Sequence, residues 1–413
     1  MRSFKKDLED FKEAYTVCGW CGGCYYHGPL VPHNWLELPP VEWSNPHRRC
    51  PSYEYFKFRA FTAQGRGNLA RSVFEDENFP ITDDLIKIVY TCTSCGTCQL
   101  TCPLFEPLTA IWALREELVT ERMIQPPEPL NRINENIEKY NNRFGAKKAP
   151  KILEGVPAAG ENLFFAGCTA RFDKRESAIA AISILKAAGL DVACLGEHEK
   201  CCGFIPGHDG YSVLLEKQAE RNLDSLEKAG AKQVIVSCAH CYKALKIDYP
   251  LIFGKLPFEV MHFAEVLARL IDEKKVKFRK MVDKDITYHD PCFLGRHIGV
   301  YEEPRKVLSS IPGIRLVEMD RNRKWAWCCG SGAKITSSCY PEFAEAVTRE
   351  RLEEGKKAAD IIVTACTECF SHMDKVAKKA GIKIVIYDLP ILVAAALGKM
   401  GASVEKASKK HWK

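Results

Sequence analysis

The chain has 413 residues, 46% of them hydrophobic, a formal net charge of +6 and twenty cysteines. That length excludes one small core and argues for two or three domains. The opening MRSFKKDLEDF is charged and carries no apolar leader, so the cysteines do not read as an extracellular disulfide framework, and thiolate ligation of metal in a reducing, cytoplasmic compartment is the expectation.

Three blocks follow one another. Residues 1–122 hold eight cysteines among helical stretches: KKDLEDFKEAYTV and ITDDLIKIVY precede the two cysteine runs, and LTAIWALREELVTERM follows the second. Residues 123–154 are polar and Pro-flanked and read as a linker with one short helix. Residues 155–275 and 280–403 alternate β-rich apolar runs (LFFAGC, QVIVSC, IIVTAC) with amphipathic helices such as SAIAAISILKAAG and YSVLLEKQAERNLDSLEKAG, the pattern of parallel α/β units. Residues 404–413 form a basic, solvated tail. The stretch Ile384–Leu397 is too short, and carries Asp388 and Pro390, so it does not read as a transmembrane span.

The two α/β blocks are an internal repeat. Cys168 matches Cys292, Cys201–Cys202 matches Cys328–Cys329, and Cys238 and Cys241 match Cys366 and Cys369, at offsets that stay between 124 and 128 residues. The expected fold class is therefore α+β multidomain: a mainly α-helical, two-cluster ferredoxin-like domain, then two duplicated α/β cysteine-rich domains.

In the first block, Cys92, Cys95, Cys98 and Cys102-Pro103 have the C-x2-C-x2-C-x3-C-P spacing of bacterial ferredoxins, in which the fourth cysteine ligates the other cluster. Cys18, Cys21 and Cys24 repeat the triplet, and Cys50-Pro51 is its displaced fourth member. Swapped pairing assigns one cubane [4Fe–4S] cluster to Cys18, Cys21, Cys24 and Cys102 and another to Cys92, Cys95, Cys98 and Cys50. Four thiolates also suit zinc, but zinc sites usually pair two separated C-x2-C units. Each cubane on four thiolates adds a charge of about −2, so the positive balance is no signature of nucleic acid.

Each repeat offers five thiolates, one more than a cube needs: Cys168, Cys201, Cys202, Cys238 and Cys241, then Cys292, Cys328, Cys329, Cys366 and Cys369. Gly203 and Gly330, after the cysteine pairs, are expected to let the backbone pass close to an inorganic core. The doubled C…CCG…C-x2-C pattern, with Tyr288–Leu308 (YHDPCFLGRHIGVYEEPRKVL), resembles the cysteine-rich domains of heterodisulfide reductase catalytic subunits, also found in glycolate oxidase and anaerobic glycerol-3-phosphate dehydrogenase iron–sulfur subunits. The whole arrangement resembles the fused, membrane-associated type of heterodisulfide reductase subunit. The resemblance implies that each five-cysteine set binds a non-cubane [4Fe–4S] pair sharing an iron and a sulfide. Zinc or an ordinary cubane in one repeat is the alternative. CCGSGAK, Cys328–Lys334, departs from the Gly-rich text usual there and bears on the shape of that site.

Two facing clusters suggest reductive cleavage of a disulfide, such as the coenzyme M–coenzyme B heterodisulfide or a related small one. His240, between Cys238 and Cys241, and His289 with Asp290, just before Cys292, are candidate proton donors; each also reads as a hydrogen-bond partner of a cluster sulfur or backbone carbonyl. Lys200 and Arg296 are read as balancing cluster charge, and Cys194 and Cys339 as structural thiols. No dinucleotide fingerprint or P-loop is present, so electrons are expected from a redox partner subunit: a flavoprotein, another iron–sulfur subunit or a membrane cytochrome b. Membrane association, if any, runs through that partner. The alternative function is a non-catalytic conduit in a larger anaerobic complex, quinone- or cytochrome-linked, flavin-bifurcating or benzoyl-CoA reductase-like.

Overall fold

The computed structural model describes residues 50–102, 106–148, 155–278 and 283–398. Short β-branched and aromatic runs form its strands: β1 (Asn162–Phe165), β2 (Val192–Ala193), β3 (Gln233–Val236) and β4 (Glu259–His262) in one sheet, and β5 (Lys284–His289), β6 (Ile314–Leu316), β7 (Ile361–Thr364) and β8 (Val385–Asp388) in another. The strand orders are β2-β1-β3-β4 and β6-β5-β7-β8, and every ladder is parallel. Identical order in two successive blocks is what the duplicated cysteine spacing predicts.

Amphipathic helices cross between the strands, among them Arg175–Ala187 and Ser212–Lys228 in the first repeat and Pro341–Ala358 and Thr367–Ala380 in the second. One continuous apolar core runs through both sheets, from Phe164 and Ile235 to Ile362 and Leu392. The two repeats are thus packed against each other through a shared interior rather than strung on a flexible joint.

The described part of the first block is helical: Pro51–Phe56, Ala63–Glu75, Asp83–Tyr90 and Pro107–Thr120. Its ends are chemically marked. Thr62 and Thr82 accept from Gly65 N and Leu85 N, Asp83 and Asp84 occupy a first turn, and Pro51 and Pro107 start helices where no amide donor is needed. The helices share a separate core around Val73, Val89 and Leu114, into which Ile205 and Ile335 reach from just beyond the two cysteine pairs. Residues 123–148 contain a longer helix than the linker reading expects, Glu128–Tyr140, whose Leu130 and Ile137 are buried. Among the described residues no helix is long and apolar enough to cross a membrane.

Candidate iron–sulfur centres

The parallel strands deliver the cysteines to one edge. Cys168 lies three residues past β1, Cys238 two past β3, Cys292 three past β5 and Cys366 two past β7, all at the C-terminal ends where open α/β sheets hold their ligands. The loops carrying Cys201–Cys202 and Cys328–Cys329 close over the same edges. Thiol contacts then run without a break from Cys168 to Cys201, Cys202, Cys241 and Cys238, across to Cys366, and on through Cys369, Cys329 and Cys328 to Cys292. The two five-thiol sets of the repeats meet where Cys238 faces Cys366.

The surroundings fit an inorganic, electron-rich group. Arg296 Nη2, His289 Nε2 and Arg143 Nε are buried donors with no hydrogen-bond partner among the described residues, an expensive condition unless something else accepts. Arg296 sits among Cys95, Cys292 and Cys328. A ring nitrogen of His289 lies within 4.8 Å of the Cys329 and Cys369 sulfurs. Its Nδ1 accepts from Arg351 Nε at 3.0 Å, which leaves the proton on Nε2. Burial, then the neighbouring Arg351, push this imidazole's pKa well below its usual range, so it stays neutral. His240 lies against Cys238 and Cys366, also within 4.8 Å.

Gly203 and Gly330 bring backbone amides to the thiols: Gly330 N donates to Cys328 Sγ at 3.4 Å and Gly203 N to the Cys201 sulfur. Both have left-handed backbone, and an added Cβ would strike Leu215 at 2.8 Å or Thr348 Oγ1 at 2.3 Å. Their missing Cβ also admits a helix packed behind, Ser212–Lys228 at Gly203 and Pro341–Ala358 at Gly330. At Gly167 the side-chain position itself faces a thiol: a Cβ would come within 2.8 Å of Cys241 Sγ.

In the helical block, Cys50, Cys92, Cys95 and Cys98 line one pocket, alongside Arg66 and Leu108. The displaced Cys50 is therefore brought to the triplet that swapped pairing assigns it. Cys102 is described and half-buried, but Cys18, Cys21 and Cys24 lie outside the described residues. Cys194 and Cys339 stand apart from both sets, and burial pushes each thiol up to about 12. Arg296 sits at a thiol site, and Lys200, next to Cys201 in sequence, has Arg171, Arg221 and Glu197 among its charged neighbours. Asp290 is held bidentately by Arg305 at 2.7 and 2.9 Å and accepts from Arg323 N, which fixes the turn before Cys292.

The Cys92–Cys98 loop is tied to both repeats. Arg115, fully buried, donates to Cys92 O at 3.0 Å and to His208 O at 2.9 Å. Arg296 Nε donates to Cys95 O at 2.6 Å, and Thr336 Oγ1 to Cys92 O at 3.2 Å. Thr93 touches the Cys328 thiol. Sequence reasoning missed Arg115, hidden in an apolar helical run, and also Arg143 and Glu368. Glu368, between Cys366 and Cys369, occupies the place His240 has in the first repeat. Arg143 reaches in from beyond the Glu128–Tyr140 helix and donates to Glu368 at 2.7 Å and to Thr169 Oγ1 at 3.1 Å.

Comparison with known proteins matches this arrangement. A 4Fe-4S dicluster domain model matches residues 14–105, and a cysteine-rich domain model matches residues 162–246 and 286–374. The D subunit of the dihydromethanophenazine:CoB–CoM heterodisulfide reductase of Methanosarcina barkeri is 36% identical over 92% of this chain and 94% of its own length. The chain belongs to the heterodisulfide reductase D-subunit family. It is an iron–sulfur electron-transfer subunit of the oxidoreductase type. The EtfAB:quinone oxidoreductase of Syntrophomonas wolfei is 35% identical over 60% of this heterodisulfide reductase-type chain and 36% of its own length. A hypothetical protein from Helicobacter pylori shares the fold alone, with a TM-score of 0.55 at 11% identity over 83% of this chain and 69% of that one.

Proposed function

We propose that this chain holds two cubane clusters, on Cys50, Cys92, Cys95 and Cys98 and on Cys18, Cys21, Cys24 and Cys102, and two non-cubane clusters on the five-thiol sets, and that it reductively cleaves a small disulfide between the latter. The observation that carries this reading is the meeting of Cys238 and Cys366 across the seam between the repeats. A conduit needs one cluster after another; it does not need two sulfur-rich sites face to face. Bound clusters would supply the electrons, one at a time.

The chain's own residues do the rest. Cleavage of a disulfide to two thiols consumes two electrons and two protons. His240 brings a ring nitrogen to Cys238 and Cys366 and is placed to donate a proton to sulfur at the seam, while the neutral His289, whose Nδ1 is taken by Arg351, offers its Nε2–H as a hydrogen bond to sulfur near Cys329 and Cys369. Water is excluded by Phe204 and Phe293, whose rings lie 5.0 and 4.9 Å from His240. Arg115 and Arg296 fix the Cys92–Cys98 loop against both repeats, and Arg296 offsets negative charge between them. Electrons enter from a partner subunit, a flavoprotein, another iron–sulfur protein or a membrane cytochrome.

The likeness to an EtfAB:quinone oxidoreductase favours a second reading, electron conduction without disulfide chemistry. EPR of the oxidised, cluster-loaded chain with and without small thiols separates the two. A new thiol-dependent paramagnetic signal is expected; spectra that no thiol changes would leave only the conduit.

A further inference from the structure

Four residues past its first cysteine the second repeat has Arg296, and three before it His289; the same places in the first repeat hold Phe172 and Phe165. The two side chains that bring N–H groups to the second thiol set are thus phenylalanines in the first. Arg171, next to Phe172, does not stand in for them. Its guanidinium donates to Glu199 O at 2.6 Å and lies 3.8 Å from the Glu199 carboxylate.

A replacement arrives from outside the repeats. The segment after the Glu128–Tyr140 helix is laid over the first five-thiol set. Asn141 ends the helix in left-handed backbone, φ +57°, and its carbonyl accepts from Cys201 N at 2.8 Å. Arg143 N donates to the Cys168 sulfur. Ile137, one turn back, packs with Cys168, Cys201 and Leu214. Asn142, buried, pins the turn: Nδ2 donates to Tyr140 O and Ala146 O, both at 2.8 Å, and Oδ1 accepts from Phe144 N and Ala146 N, both at 3.1 Å. Phe144 packs on Phe172 at 5.5 Å, so the chain that carries Arg143 rests on the ring that stands in the place of Arg296.

The guanidinium then lies between the repeats. Nη2 donates to Thr169 Oγ1, beside Cys168, and to Glu368, between Cys366 and Cys369. Nε is buried and has no partner among the described residues, and Cys168 and Cys238 are among the group's neighbours. Arg296 Nη2 is in the same condition beside Cys292 and Cys328. Glu368 already balances the charge of Arg143; what remains is a directed N–H.

We propose that Arg143 is the first repeat's counterpart of Arg296, a positioning residue that donates from Nε to sulfur of the cluster held by Cys168, Cys201, Cys202, Cys238 and Cys241 and raises that cluster's reduction potential. The proposal rests on the cluster reading above, and not on disulfide chemistry. A donor to sulfur favours the more negative, reduced state of a cluster. A hydrogen bond to a charged acceptor shifts the reduction equilibrium about tenfold, which is about 59 mV for one electron.

The test is an EPR redox titration of the full-length, cluster-loaded chain with iron analysis alongside; Cys168→Ser marks the signal that belongs to the first repeat. Arg143→Gln alone would strand the buried Glu368 carboxylate, so Glu368→Gln is compared with the double variant Arg143→Gln/Glu368→Gln. Adding Arg143→Gln is expected to lower the first centre's midpoint by about 59 mV, with the second centre and the iron content unchanged. If the double variant loses iron, Arg143→Lys takes its place, because it keeps the charge beside Glu368 but not the planar fork; a fall of the first centre alone, at full iron, is again expected. A first centre that does not move at full iron, or an equal fall in both centres, overturns the proposal. About eight irons in the native chain would instead overturn the cluster reading beneath it.

Discussion

His289 and Phe165 occupy the same place in the two repeats, three residues before the first cysteine. Duplication kept the thiols and changed the residue at this place: an imidazole near Cys329 and Cys369 in the second repeat, a buried phenylalanine in the first. His240 and Glu368 diverge in the same way. The two sites are therefore chemically unequal, and hydrogen bonds to sulfur are among the factors that set cluster potentials. His289→Phe is expected to lower the midpoint potential of the second repeat's cluster and leave the first unchanged in an EPR redox titration. It also strips Arg351 of an acceptor, and unfolding in denaturant is expected to show a loss of about 1–3 kcal/mol. At this scale the ligands were legible because iron–sulfur spacing is a local, rigid code. Their partners were not. Arg143 lies 225 residues from Glu368, in a polar segment whose composition is that of any solvated loop, and Gly203 and Gly330 carry no local mark of the helix they accommodate.

Among the elements, strands and crossover helices followed from hydrophobic pattern, since buried parallel strands leave short apolar runs and helices leave stripes. The helix Glu128–Tyr140 was read as short because only Leu130, Asn134 and Ile137 are buried along it. Its attachment is polar: Asn134 Nδ2 donates to Asp209 Oδ2 at 3.0 Å. Burial raises the Asp209 carboxyl to about 8, against the hydrogen bonds from Asn134 and Tyr211 N and the charge of Arg115. The folded chain thus keeps this proton to about pH 8, whereas an unfolded aspartate releases it near about pH 4. The unfolded state binds fewer protons across that window, so the Asp209 contribution to stability falls as pH rises from about 4 to about 8 and is level above. Thermal unfolding from about pH 5 to 9 should show Asp209→Asn losing less stability than the native chain as pH rises, by an amount on the order of a few kcal/mol. Parallel curves for the two would contradict the raised carboxyl.

In the whole molecule, three cysteine-bearing pieces converge on one place. The Cys92–Cys98 loop gives its carbonyls to Arg115, Arg296 and Thr336, and the two repeats press Cys238 against Cys366. The pieces and their order were readable from spacing and repetition. Their convergence was not, because it depends on Ile205 and Ile335 entering the helical core and on the apolar interior the repeats share. The central claim is that these thiols hold iron in both kinds of site. Iron and zinc analysis of the anaerobically purified full chain tests it most directly. The account predicts about sixteen irons per chain and no zinc; about eight irons accompanied by zinc would contradict it, leaving cubane clusters in the helical block and no iron centre at the seam.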